Sequence, residues 1–299
     1  MIQLESVTKN FADVRSLNNV SLSVPDGSIF GLIGSNGSGK STLLRVLCGV
    51  IAPDGGRVLS DGFRVWENPD VKEKIVYLSD EPFFLPHASL SDMRALYASL
   101  YPAFDVMRYG ELLSLFGLDE RRRIATFSKG MQKQAAVLLA LSVRPRLLLC
   151  DETFDGLDPV MRQLVKRILA EEVAANRATV VIASHNLREI EDICDRVALL
   201  HRGELLFTRE LDDMKLGLQK VQAILPEERS AVSLGAVPLL SCERRGSMVT
   251  LVARGTREEV EAAVAALHPT FYEFIPLTLE EIFISEMGER GYDFSKLIG

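Results

Sequence analysis

Gly34-Ser35-Asn36-Gly37-Ser38-Gly39-Lys40-Ser41 fits the pattern GxxxxGK[ST], and its setting decides the fold. The apolar run Ser28-Ile29-Phe30-Gly31-Leu32-Ile33 before it reads as a buried strand. The stretch from Ser41 to Cys48 after it reads as a helix, ended by Gly49. Strand, Gly-rich turn and helix together are the context that a phosphate-cradling loop requires. The glycines let successive N–H groups point inward around phosphate oxygens. Lys40 brings a point positive charge to the β/γ-phosphates, and Ser41 offers a hydroxyl to Mg²⁺. At average residue usage the pattern arises by chance about 0.01 times in a chain of this length, so an incidental Gly-rich turn is a poor competitor.

Outward from this loop, short apolar runs alternate with helical patterns through about the first 215 residues. Leu147 to Cys150, Thr179 to Ala183 and Val197 to Leu200 read as strands, separated by helical segments from Pro159 to Ala175 and Leu187 to Cys194. Strands alternating with helices imply a largely parallel, covered sheet, the α/β class. Between Pro86 and Val143 the strand signal vanishes, leaving helical patterns such as Leu90 to Leu100 and Val106 to Phe116. A helical insertion into the core is expected there, over about 82–143. Past about Leu216, strands at Lys220 to Leu225 and Met248 to Ala253 surround a capping box, Thr256-Arg257-Glu258-Glu259, and a second box at Thr278-Leu279-Glu280-Glu281 opens a last helix. Two domains are expected: 1–215, and a small α+β domain over 216–299.

Composition excludes several classes. Of 299 residues, 34 are Lys or Arg and 41 Asp or Glu, so the net charge is 34 − 41 = −7, which disfavours nucleic acid as a partner. Hydrophobic residues at 47% against 25% charged residues permit a full core and argue against disorder. The longest apolar stretches are cut by Ser142, Arg144 and Asp151, far short of the roughly 20 residues that span a bilayer. The start carries no secretory pattern. Cys48, Cys150, Cys194 and Cys242 form no CxxC pair, as in a reducing compartment.

Two further stretches carry chemistry. Leu147-Leu148-Leu149-Cys150-Asp151-Glu152 puts two carboxylates at the carboxyl edge of a buried strand. Asp151 is placed to bind Mg²⁺ directly or through water, and Glu152 to polarise an attacking water as general base. Phe127-Ser128-Lys129-Gly130-Met131-Gln132 precedes the helical run Ala135 to Leu141. Taken alone, Ser128 reads as an N-cap; a Ser hydroxyl and a Gly at a helix start also make an anion site.

The order of these stretches, followed by Gly156-Leu157-Asp158 and Ser184-His185, resembles the ATP-binding cassette (ABC) ATPases over essentially the whole chain. The resemblance implies a P-loop NTPase core that binds ATP and Mg²⁺, with Ser35 to Lys40, Ser41 and Thr42 on the triphosphate, Ser41 and Asp151 on the metal, and Glu152, His185 and Asp80 catalytic. It further implies Phe11 on adenine, Ser128 and Gly130 on the γ-phosphate held by the opposite subunit, and Asp158 in the loop that couples two sites. His185 matches the family's γ-phosphate switch. A head-to-tail dimer, with itself or a related ABC ATPase subunit, follows, together with a separate transmembrane permease at the cytoplasmic face of the membrane.

Ser-Lys-Gly-Met at 128–131 is familiar in the branch of bacterial drug, antibiotic and ion exporters, and Leu279-Glu280-Glu281-Ile282-Phe283 looks like that branch's closing helix. Three departures stand out. Phe127, Lys129 and Met131 replace signature residues, Thr153 replaces the usual proline after the catalytic acid, and Asp80 stands where the family has a glutamine. A third acid beside Asp151 and Glu152 could weaken ATP binding, which keeps open a nucleotide-binding regulatory module with little turnover. A soluble non-transport ABC ATPase is the other alternative. Translation types carry two cassettes, and repair types a long coiled coil between the phosphate loop and the signature. Here there is one cassette, with 128 − 40 = 88 residues from Lys40 to Ser128. Arg121-Arg122-Arg123 reads as a solvated face.

Overall fold

The first residues alternate apolar and polar, and in the computed structural model, which describes residues 1–215, 217–225 and 232–289, they form two long antiparallel strands. These are β1 (Ile2–Phe11) and β2 (Val14–Val24), which bury Ile2, Leu4, Leu17, Val20, Leu22 and Val24 on one face and leave the other wet. This antiparallel layer departs from the strand-helix alternation expected of the first unit. Next come β3 (Ile29–Ile33), α1 (Lys40–Leu47), β4 (Gly55–Ser60) and β5 (Phe63–Arg64), the last two returning to the first sheet in the order β2-β1-β4-β5. After α2 (Pro69–Lys72) and β6 (Ile75–Leu78) the insertion follows, with α3 (Leu90–Leu100), α4 (Val106–Phe116) and α5 (Lys129–Ser142). Then come β7 (Leu147–Asp151), α6 (Pro159–Asn176), β8 (Thr179–Ser184), α7 (Leu187–Glu191), β9 (Arg196–His201), β10 (Glu204–Glu210) and α8 (Leu211–Lys215).

The second sheet has the order β10-β9-β3-β8-β7-β6, and the pairs from β9 to β6 are all parallel. β3, β7 and β8 are buried at every residue, as strands covered on both faces must be. Helix α1 joins the two sheets: Leu43, Leu44 and Leu47 share one core with Val20 of the first sheet and Phe30 and Leu149 of the second. Leu44 is fully buried, so truncating it to Ala would cost about 2–5 kcal/mol.

The insertion is pinned by caps and by one buried acid. Ser89 and Asp92 make a reciprocal capping box for α3, and Asp105 caps α4. Glu172, on α6 and 6% exposed, accepts from Arg108 of α4 at 2.7 Å, from Arg144 at 3.1 Å and from Asn176 at 2.6 Å. Arg122 is exposed yet not merely solvated. Its guanidinium stacks 5.2 Å from the Phe127 ring and bonds Thr126, bracing the turn before α5.

Contacts divide the chain between Thr208 and Arg209, so α8 falls with the second unit, a boundary slightly earlier than the expected 215/216. That unit holds the sheet β12-β13-β11-β14, built from β11 (Leu218–Ile224), β12 (Leu239–Arg245), β13 (Met248–Arg254) and β14 (Phe271–Ile275). Its helices are α9 (Arg257–Ala265) and α10 (Leu279–Glu289). Thr256 with Glu259 forms the expected capping box. In the other box, Thr278 and Glu281 exchange bonds as expected, and Leu279, Ile282 and Phe283 are fully buried. Cys48, Cys150 and Cys194 are buried free thiols and Cys242 an exposed one. Among the described residues no helix is long and apolar enough to cross a membrane.

Candidate functional site

Parallel register gathers the site. Ile33 pairs with Ser184, Ala183 with Asp151, and Cys150 with Leu78, so the carboxyl ends of β3, β8, β7 and β6 are aligned. The next residues along each strand are Gly34, His185, Glu152 and, two past β6, Asp80. Four segments far apart in sequence therefore meet at one sheet edge, where ligands bind in open α/β sheets. A cavity of about 250 Å³ lies there, lined by Ser35, Asn36, Gly37, Gly39, Lys40, Ser41 and Thr42, with Ser16, Asp80 and Glu152 completing its wall. A larger cavity of about 670 Å³ is lined wholly by second-unit residues and has no phosphate-binding loop.

The loop's shape follows from its glycines at one place above all. Gly39 has φ +107°, and a Cβ there would lie 2.5 Å from the Ser16 carbonyl, so only glycine lets the chain enter α1 against β2. Ser38 is the exception among the loop residues. It is 2% exposed and does not line the cavity, and its N–H donates to the Ser35 carbonyl at 3.1 Å.

Lys40 Nζ donates to the carbonyls of Gly34 at 2.7 Å and Ser35 at 3.3 Å and lies 3.5 Å from Glu152 Oε1. Glu152 Oε2 lies 3.1 Å from His185 Nδ1 and accepts from the His185 N–H at 3.4 Å. The Glu152 carboxylate, the His185 imidazole and the Lys40 ammonium therefore form one continuous set. Glu152, Asp155 and His185 also bring ligand atoms within 4.8 Å of one another, but an imidazole in the set suits a softer ion than Mg²⁺. The Mg²⁺ donors fit better elsewhere. Ser41 Oγ donates to Asp151 Oδ1 at 3.1 Å beside the cavity, two hard oxygens of the type that ion takes.

Two residues of the site were not read from the sequence. Tyr77 donates its hydroxyl to Asp151 Oδ2 at 2.8 Å, and Asp151 is 1% exposed. Burial, then the neighbouring Asp151 charge, pushes the Tyr77 hydroxyl above the ordinary tyrosine range, so it stays a donor. Lys133 of α5 reaches Asp80 Oδ1 at 3.0 Å and the Glu152 carbonyl at 2.8 Å. Asp80 is thus no unpaired third acid. The sequence signal for Lys133 is slight: it is one of two lysines in the polar first turns of α5, and nothing local separates it from Lys129.

The remaining expected residues lie outside the cavity wall. Ser128 is exposed and caps α5, its Oγ accepting the Met131 N–H at 3.2 Å. Gly130 packs so closely on the loop after β7 that a Cβ would stand 2.9 Å from the Gly156 carbonyl. Asp158 is exposed and caps α6 through the Met161 N–H at 2.9 Å. Phe11 is 45% exposed at the β1–β2 turn, with Lys9 Nζ 5.6 Å from its ring.

The sequence profile of the ABC transporter family matches residues 17–155, which run from β2 through the acidic end of β7. An ABC transporter ATP-binding protein of Bacillus subtilis, YtrB, is 32% identical over 97% of this chain and 99% of its own length. The chain belongs to the ABC transporter ATP-binding proteins. Its alignment with YtrB extends through the second unit, so the α+β region is shared with that relative. Another ABC relative, the lantibiotic transport ATP-binding protein SrtF of Streptococcus pyogenes, is 28% identical over 71% of this chain and 92% of its own length. Among solved structures, an ATP-binding subunit of an ABC transporter aligns with a TM-score of 0.67 at 27% identity, covering 72% of this chain and 92% of that one. As an ABC ATPase this chain has a nucleotide-binding cassette, and the fold is the one expected from the phosphate loop.

Proposed function

We propose that this chain is the ATP-hydrolysing subunit of an exporter-type transporter, held at the cytoplasmic face of the membrane by a separate transmembrane permease. Two copies, or one copy and a related ABC ATPase subunit, close around two ATP–Mg²⁺. The observation that carries this reading is the division of the site. Lys40, Ser41, Glu152 and Asp80 line the cavity, whereas Ser128 and Gly130, at the free N-terminus of α5, do not. A second cassette facing the first would bring its α5 N-terminus to the γ-phosphate, where unpaired N–H groups and the helix dipole favour anions.

In this reading Gly34 and Ser35 hold the Lys40 ammonium where the β/γ-phosphates arrive, and Phe11 stacks on adenine. Ser41 and Asp151 would hold Mg²⁺, which neutralises charge on the transferring phosphoryl group. Glu152 takes a proton from the attacking water while His185, bonded to its carboxylate, orients it and senses the γ-phosphate. Asp80 lines the same cavity as Glu152, and in this reading Asp158 belongs to the loop that couples the two sites. Once the γ-phosphate is cleaved, the charge that bridged the two copies is gone and the dimer opens.

The permease is supported by the loop after β6, where Phe83 is 77% and Leu85 43% exposed beside Asp80. Large apolar side chains displayed together mark a protein contact. The name of the lantibiotic-transport relative supports the exporter branch. Affinity purification of the tagged chain from its native membranes tests the reading. Recovery with a multi-span membrane protein and ATP-dependent phosphate release is expected; recovery alone and without phosphate release would overturn it.

A further inference from the structure

Glu152 has an unusual backbone. Its φ is +46°, in the left-handed region that residues with a side chain seldom occupy. Both of its main-chain polar groups are held. The N–H donates to the Ala183 carbonyl at 2.9 Å, and the carbonyl accepts from Lys133 Nζ at 2.8 Å and from the Asp155 N–H at 3.2 Å. The Asp155 bond closes a local turn; the Lys133 bond comes from a different element, α5. The Lys133 side chain is only 11% exposed, and its other partner is the Asp80 carboxylate at 3.0 Å.

We propose that Lys133 is a positioning residue for catalysis, holding the Glu152 main chain in the conformation that aims its carboxylate between Lys40 and His185, with Asp80 as its counter-ion. The inference deepens the ATPase reading above and rests on it. An ammonium is suited to this double task, since it has three donors and can serve a carboxylate and a carbonyl at once. Without it, the Glu152 carbonyl keeps only the turn bond from Asp155, and the residue loses one of the three bonds that fix its backbone. The fold around it does not depend on this bond, because Asp151 and Ala183 remain paired in the sheet. The main effect is therefore expected in turnover, with only a small loss of nucleotide affinity from the Asp80 charge left uncompensated on the exposed cavity wall. Asp80 also gains a second role: it keeps the Lys133 charge compensated beside the cavity, the task an uncharged side chain at position 80 would leave undone.

Single-turnover hydrolysis of ATP–Mg²⁺ by the full chain, together with equilibrium nucleotide binding, tests this. Lys133→Met is expected to lower the hydrolysis rate by about tenfold or more, since misplacing a catalytic group by an ångström can cost about 10²-fold, while nucleotide affinity falls by at most about fivefold. Lys133→Arg, which keeps a charged donor, is expected to retain most of the rate. A wild-type rate in Lys133→Met, or an equal loss in Lys133→Arg, would overturn the inference while leaving the ATPase reading intact. A wild type that hydrolyses nothing would overturn the ATPase reading and this inference with it.

Discussion

Replacing Lys40 with Ala removes the one cation fixed inside the phosphate loop. Its ammonium is held by the Gly34 and Ser35 carbonyls at 2.7 and 3.3 Å, and the residue is 6% exposed. A phosphate oxygen about 4 Å from it would gain about 4 kcal/mol at an effective dielectric of about 20. Part of that gain is returned, because Lys40 already has a carboxylate 3.5 Å away at Glu152 and must share its charge. The variant also leaves Glu152 facing the triphosphate with no cation between them, which works in the same direction. A net loss of about 2–3 kcal/mol, or roughly 30- to 150-fold in Kd, is expected. Titration with a fluorescent ATP analogue measures it, at fixed Mg²⁺ and a single salt concentration because salt screens the interaction. A thermal melt run alongside confirms that the variant is folded. A Kd within about threefold of wild type, about 0.6 kcal/mol, would refute the assignment of this loop to the β/γ-phosphates.

Glu152→Gln keeps a hydrogen-bonding group but cannot take a proton, so nucleotide binding is expected to persist while hydrolysis falls by about 10²-fold or more. Light scattering should then detect an ATP-dependent dimer, and a monomer at every ATP concentration would argue against a shared site. Asp80→Asn removes one negative charge from the cavity wall; because Asp80 is 59% exposed, the gain in nucleotide affinity is expected to be small, at most about fivefold, while steady-state phosphate release slows. Unchanged affinity and turnover would remove Asp80 from the site. Tyr77→Phe takes a hydrogen bond from a buried carboxylate, which should lower stability in urea by about 1.5 kcal/mol or more, and a change under about 0.5 kcal/mol would show that Asp151 does not need it.

The phosphate loop, the acidic strand end and the fully apolar strands were legible in the sequence because each is a local pattern with one physical meaning. A Gly-rich turn ending in Lys-Ser at a helix start, and four apolar residues followed by two acids, hardly depend on what packs around them. The second capping box likewise closed as read, since Thr278 and Glu281 are three residues apart and need no distant partner. The antiparallel β1–β2 layer was less legible, though period-2 burial is present in Ile2 and Leu4 and in Val20, Leu22 and Val24, interrupted between Leu17 and Val20. It stood beside a stronger alternation of strands and helices.

Tertiary structure decided the rest, for reasons of register and reach. That Glu152, Asp80 and Lys40 line one cavity, with His185 bonded to Glu152 beside it, depends on the parallel pairing of β3, β8, β7 and β6, and no local pattern specifies that order. The sequence showed Asp80 only as an acid in place of a glutamine, with repulsion as the natural expectation. The partner that neutralises it, Lys133, lies 53 residues away on a helix whose rotation about its own axis only the packed insertion sets. Tyr77 was hidden in the same way, as an ordinary strand residue until its neighbour proved to be Asp151. Local chemistry is written in the chain, but the pairing of charges between elements is written in their packing.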